Sequence, residues 1–157
     1  GPCSFGGNSS CDTDDLDALY AVFNTSVPPT EEKFDLNSDS LVDVGDLAQW
    51  LSLAATKNGH SSPYLRGDLE LDRDVDLSDY NALATNFDPS GLSTLRQHGN
   101  TDGDNDVDLA DYNLLASNFS PAGYGAAAGP EPASVCLLVA GLLLLCGTRF
   151  HGPSRQR

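Results

Sequence analysis

Apolar residues recur three and four positions apart in three stretches of the chain: Leu47, Trp50, Leu51 and Ala54; Tyr80, Leu83, Ala84 and Phe87; Tyr112, Leu115, Ala116 and Phe119. That period belongs to helices that turn one face toward a core. It predicts three amphipathic helices whose stripes, aromatic residues included, are packing faces. Ahead of each stripe, polar residues stand at alternate positions, the mark of a tight loop whose alternate side chains point inward. A single valine (Val42, Val75, Val107) leads each loop into a helix that starts near Asp46, Asp79 or Asp111.

The stretches are copies of one another. Residues 35–51 (DLNSDSLVDVGDLAQWL), 68–84 (DLELDRDVDLSDYNALA) and 100–116 (NTDGDNDVDLADYNLLA) align without gaps, with starting points 33 and 32 residues apart. Such a period means repeated supersecondary units rather than one continuous fold. A fourth copy lies upstream, where residues 11–23 match residues 75–87 at Asp12, Asp15, Ala18, Leu19 and Phe23, 31 residues before the first loop copy. Four copies suggest two pairs. Turn-rich connectors with Pro or Gly separate the units at 25–30, 57–63 and 88–99.

The expected organisation is therefore a degenerate first repeat over 1–33 with a helix at about 12–23, and three loop-helix repeats over 34–120. A flexible small-residue linker follows over 121–132, then an apolar segment with a basic tail over 133–157. The expected fold class is mainly α, with loop-helix repeats and one C-terminal transmembrane helix. The chain starts with Gly1 and contains no Met, so a fragment or processed form is expected, with any upstream domain unread.

Charge sharpens this picture. The chain holds 23 acidic and 8 basic residues, a net charge of −15. Three of the bases (Arg149, Arg155, Arg157) lie in the tail, so the acidity belongs to the repeats. A surface of this sign excludes a nucleic-acid partner and calls for a cationic counter-charge. Clustered carboxylates are the hard oxygen ligands that calcium prefers.

A calcium loop of the EF-hand type uses side chains at positions 1, 3, 5, 9 and 12 and a main-chain carbonyl at position 7. The first copy supplies Asp35, Asn37, Asp39, the Leu41 carbonyl, Asp43 and Asp46, every one an oxygen donor. The second supplies Asp68, Glu70, Asp72, the Asp74 carbonyl, Asp76 and Asp79, with a longer Glu at position 3. The third supplies Asn100, Asp102, Asp104, the Asp106 carbonyl, Asp108 and Asp111, opened by a neutral amide that predicts weaker affinity. About three calcium ions are expected. Position 6 favours Gly at a sharp turn but holds Ser40, Arg73 and Asn105, so the Arg73 loop is expected to depend most on metal. In the N-terminal copy, Ser4, Gly6 and Asn8 fill positions 1, 3 and 5, and no calcium is expected there. A disulfide between Cys3 and Cys11 could close that loop instead.

A closing Asp in place of Glu at position 12, and a loop that runs straight into one helix, resemble dockerin type I repeats. The resemblance covers about 35–119 and is closest in DGDNDVDLADYNLLASNF. It implies a small calcium-folded module, appended to secreted polysaccharide-degrading enzymes, that docks onto a cohesin or another envelope protein. Positions 10 and 11, through which dockerins read their partner, hold Val44-Gly45, Leu77-Ser78 and Leu109-Ala110.

Beyond the repeats, Pro130-Glu131-Pro132, the uncharged run 133–148 and Arg149 with its basic tail resemble a PEP-CTERM sorting signal. That resemblance implies export, anchoring in the cytoplasmic membrane through 133–150, processing by an exosortase, and a final place in the envelope or outside the cell. As a helix, the run would reach about 24 Å, and its flanking arginines agree with a basic end kept inside.

No catalytic constellation accompanies these features. His60, His98 and His151 lie apart, in connectors and tail, with no zinc or acid-base spacing. The chain is expected to be no enzyme itself. Three readings stay open: a docking module, a calcium-stiffened spacer, and the C-terminal part of a secreted enzyme whose catalytic domain lies elsewhere.

Overall fold

Each α-helix among the described residues begins on an aspartate whose side chain substitutes for the missing turn of main chain. The computed structural model describes residues 1–125 apart from 92–94 and 105. In chain order it contains α1 (Thr13–Tyr20), β1 (Thr25–Ser26), β2 (Leu41–Val42), α2 (Val44–Lys57), α3 (Leu77–Thr85) and α4 (Leu109–Ser117), with single 3-10 turns at Glu32–Phe34 and Arg96–His98. Asp12, Asp43, Asp76 and Asp108 are the N-caps, and Asp15, Asp46, Asp79 and Asp111 complete a capping box at the third helical position. Acid in the first turn also suits the positive end of the helix dipole.

The expected mainly α chain with a transmembrane helix is corrected. Only 38% of the described residues are helical, beside an antiparallel two-stranded ribbon in which Thr25 faces Val42 and Ser26 faces Leu41. The reason is the loops: they take up most of each repeat and leave α1, α3 and α4 at eight or nine residues. No helix among the described residues is long and apolar enough to cross a membrane. The uncharged run 133–148, and with it Pro130, Glu131, Pro132 and Arg149, lies outside the described residues.

Two apolar clusters organise residues 1–125. The larger gathers Leu16, Leu19, Val42, Leu47, Trp50, Leu51 and Ala54 from α1, β2 and α2, with the Cys3–Cys11 disulfide against it. The smaller consists of Val75, Leu83, Val107 and Leu115. Each valine that leads into a helix is fully buried. Main-chain bridges then tie the second and third loops reciprocally: Val75 pairs with Ser120 beyond α4, and Val107 with Asp88 beyond α3.

The stripe on α2 is buried as its period requires. On α3 and α4, only Leu83 and Leu115 are; Tyr80, Phe87, Tyr112 and Phe119 are exposed. Helices this short bury one side against their partner and leave the other aromatic edge uncovered.

Between the clusters stands Arg96, fully buried. Its guanidinium donates to the carbonyls of Leu65 (3.1 Å) and Asp68 (2.8 Å), and to the Tyr20 hydroxyl (3.4 Å). Its main-chain N–H donates to Asp17 on α1 at 3.1 Å. Residues 121–125, expected as linker, fold back: Tyr124 packs against both clusters.

Candidate metal centre

The acid at position 12 closes every loop in the same way. Asp46 Oδ1 receives the N–H groups of Leu36 and Asn37 at 2.6 and 3.2 Å, and Oδ2 receives that of Asp43 at 2.8 Å. Asp111 repeats this with Thr101 (2.6 Å), Asp102 (3.3 Å) and Asp108 (2.8 Å). Asp79 takes Leu69 and Asp76 at 2.7 and 2.8 Å. The N-terminal copy keeps the device although positions 1, 3 and 5 carry no acid: Asp15 takes Phe5, Gly6 and Asp12 at 2.6, 3.1 and 3.2 Å. These carboxylates hold loop to helix before any ion is considered, and each oxygen retains lone pairs.

Position 1 organises the turn itself. Asp35 accepts from Asp39 and Ser40, and Asp68 from Asp72 and Arg73, all at 2.9–3.1 Å. Asn100 departs from this, accepting from Gly103 at 2.7 Å and turning its own amide toward the Asp104 carbonyl. The turn needs the left-handed backbone twice, at positions 4 and 6: Ser38 and Ser40 (φ 63° and 73°) in the first loop, Leu71 and Arg73 (60° and 81°) in the second. Only position 6 stands out in the sequence. In the third loop Gly103 fills position 4 at φ 85°, and a Cβ there would meet the Phe23 ring at 2.5 Å.

Three groups of acids converge. Asp74, Asp76 and Asp79 bring one carboxylate oxygen each to within 4.8 Å of one another, as do Asp102, Asp104 and Asp111, and Asp106, Asp108 and Asp111. Two oxygens at the 2.3–2.6 Å radius typical of calcium lie no more than about 5 Å apart, so a hard cation could sit in the second loop and another in the third, whose two groups share Asp111. The donor set is all oxygen, with no His or Cys. Asp106 Oδ1 is buried with no hydrogen-bond partner among the described residues. An orphaned buried oxygen amid other acids is what a cation site leaves when read without its ion.

Among the described residues the first loop forms no such group, although its spacing is complete; Asp35, Asn37, Asp39 and Asp43 engage one another and the main chain, and Leu41 lies in β2. Asp68, Glu70 and Asp72 likewise join no group in the second loop. The side chains of Asp74 and Asp106 do join, at the position where the sequence points to a main-chain carbonyl. The signal was present: position 7 is acidic in the second and third loops and Leu in the first.

Crowding shows in the acidities. Burial pushes Asp79 up to about 6, with Asp68 and Glu70 adding to it, against the lowering by the Leu69 and Asp76 N–H groups. Burial also raises Asp68 and Asp102. Asp74 and Asp106 are raised by desolvation and then by neighbouring acids, Asp72 and Asp76 for the one, Asp104 and Asp108 for the other.

α3 and α4 present a matched apolar face. Leu77 and Leu109, both at position 10, are each 65% exposed, while Tyr80 and Tyr112 meet edge to face with centroids 6.3 Å apart. Two open clefts of about 420 and 330 Å³ flank that pair, the first reaching Phe87 and the second Phe119. No protein-family model, curated protein or solved structure matches this chain.

Proposed function

We propose that the chain is a calcium-organised, dockerin-like protein-docking module of an exported protein. The carrying observation is the third loop, where five acids (Asp102, Asp104, Asp106, Asp108 and Asp111) converge in two overlapping groups and one oxygen is buried without a partner. A buried unpaired acceptor costs about 1–3 kcal/mol. A divalent cation would offset that cost and the mutual repulsion together, and oxygen-only donors select calcium over softer metals. Asp74, Asp76 and Asp79 would hold a second ion, and the complete spacing at Asp35, Asn37, Asp39, Asp43 and Asp46 supports a third.

The matched face of Leu77, Tyr80, Leu109 and Tyr112 favours docking over a passive spacer. Large apolar side chains left uncovered in register on two helices mark a protein contact. Its occupant is a folded, cohesin-like envelope protein that offers an apolar patch with few acids, since the docking chain is itself strongly negative. The Cys3–Cys11 disulfide supports an oxidising, extracytoplasmic location, in line with the PEP-CTERM resemblance.

Calcium titration of chelator-treated chain by calorimetry, with circular dichroism on the same samples, tests the metal. Saturable binding of about three ions with a gain in helicity is expected. Absence of binding at millimolar calcium sinks the reading. Pulldown from envelope extract with and without calcium then separates module from spacer: no calcium-dependent partner leaves the spacer.

A further inference from the structure

The apolar face of α3 and α4 carries its own twofold relation. The second and third loops begin 32 residues apart, at Asp68 and Asn100, and the same interval exchanges the two main-chain bridges, Val75 with Ser120 and Val107 with Asp88. It also exchanges the two open clefts. One is bounded by Tyr80, Phe87 and Leu109, the other by Tyr112, Phe119 and Leu77. The approximate axis passes between Tyr80 and Tyr112, whose rings meet there. On either side of it stand one cleft and one projecting leucine.

This face is also free of charge in a chain of net charge −15. The charged residues within α3 and α4 are Asp79 and Asp111, and both are buried. An arginine-rich or lysine-rich partner would find nothing on the two helices to pair with, whereas a second uncharged apolar face meets this one without setting like charges against each other. The extent suits such a pairing. With about 200 Å² for an aromatic side chain, Tyr80, Phe87, Tyr112 and Phe119 at 40–51% exposure leave roughly 350 Å² uncovered. The two leucines, each 65% exposed, bring the patch to about 500–600 Å², the upper end for a monomer. Two copies face to face would bury about 1,000–1,200 Å², enough for a specific but weak and reversible contact.

We propose that two copies of the chain pair through this face, so that in the free protein each covers the other's clefts and a docking partner must displace it. The displacement rests on the docking reading above; the pairing does not. A pairing of like copies needs the same patch on both sides. Here the patch is itself twofold, so one leucine of one copy seated in a cleft of the other repeats that contact four times when the axes coincide. The like net charge of the two bodies opposes the approach at long range, and salt screens it.

The test is sedimentation of the full chain in calcium, over a concentration series and with no partner present. The mass is expected to rise from one copy to two. Leu77→Glu together with Leu109→Glu would bring four carboxylates into the joint and should weaken the pairing at least about 100-fold. Thr85→Glu together with Ser117→Glu adds the same charge at exposed positions that bound neither cleft, and should change it by less than about 5-fold. Raising salt from about 0.1 to about 1 M should tighten the pairing severalfold. A single-copy mass at every concentration overturns the proposal. So does association that the leucine pair of substitutions leaves undiminished, an equal loss in both pairs, or loosening by salt. The concentration and salt series need no variant, so a misfolded substitution does not shield the proposal. Pairing without calcium-dependent capture of an envelope partner removes the docking reading alone, and capture by a chain that never pairs removes this one alone. Where both hold, the apparent Kd for the partner should rise with chain concentration; a constant one overturns the displacement.

Discussion

The indole N–H of Trp50 donates to the main-chain carbonyl of Cys3 at 2.8 Å, across 47 residues of sequence, and both residues are buried. The N-terminal loop is thus held by a disulfide and a tryptophan where its relatives have acids. Trp50→Phe leaves the Cys3 carbonyl buried and unpaired and should lower stability by about 1–3 kcal/mol. Replacing Cys3 and Cys11 by Ser opens a loop of eight-residue separation and should cost about 2–3 kcal/mol. Denaturant unfolding measures both. Neither change should weaken calcium binding.

Asp111 and Asp104 both belong to the third loop's groups but differ in what else they do. Asp111 accepts three main-chain N–H groups and is fully buried, whereas Asp104 is exposed. Asp111→Ala should therefore destabilise the chelated chain, by about 1–3 kcal/mol. Asp104→Ala should leave the chelated chain within about 0.5 kcal/mol of its starting stability and show its effect only once calcium is added. Thermal melts with and without calcium decide it; an equal loss for both in chelator would contradict this division.

Every resolved carboxyl shift in the loops is upward, with Asp79 at about 6. A carboxyl raised above its unfolded value of 3.8 binds protons more tightly when folded, so the metal-free fold loses stability as pH climbs from about 4 to about 6. Chelated chain should accordingly melt at a lower temperature at pH 7 than at pH 5. Calcium requires the ionised acids and releases their protons, so in its presence the trend should reverse. Melting temperatures at the two pH values, in chelator and in calcium, give the four numbers needed.

Leu77 and Leu109 touch water, not core. Changing both to Glu should alter folding stability by no more than about 0.5 kcal/mol and leave calcium affinity intact, while abolishing calcium-dependent capture of an envelope partner. Capture that survives the double change would place the docking surface elsewhere.

How much was legible depends on where the information lay. The capping acids, the lead-in valines and the loop spacing repeat at a fixed period, and local periodicity can be read along one chain. The fate of Tyr80 and Tyr112 could not be, since an apolar stripe looks the same whether a partner element covers it or not. Leu71 and Ser38 in left-handed backbone were hidden because neither residue type favours it; the repeat geometry overrides their preference. The packing of Tyr124 on both clusters had no signal, for it depends on a turn that the pairing of Val75 with Ser120 brings back to the second loop.

The buried Arg96 has a consequence for how the protein comes apart. Its guanidinium joins Tyr20 of the first apolar cluster to carbonyls beside the second loop, while its main chain holds α1 through Asp17. Separating the two halves would strip a cation of its hydrogen bonds on one side before water could reach it, so a half-melted state is worse placed than either end state. One side chain thereby makes a single cooperative transition of what the repeats alone would allow to be two, and residues 1–125 should melt with equal calorimetric and van't Hoff enthalpies.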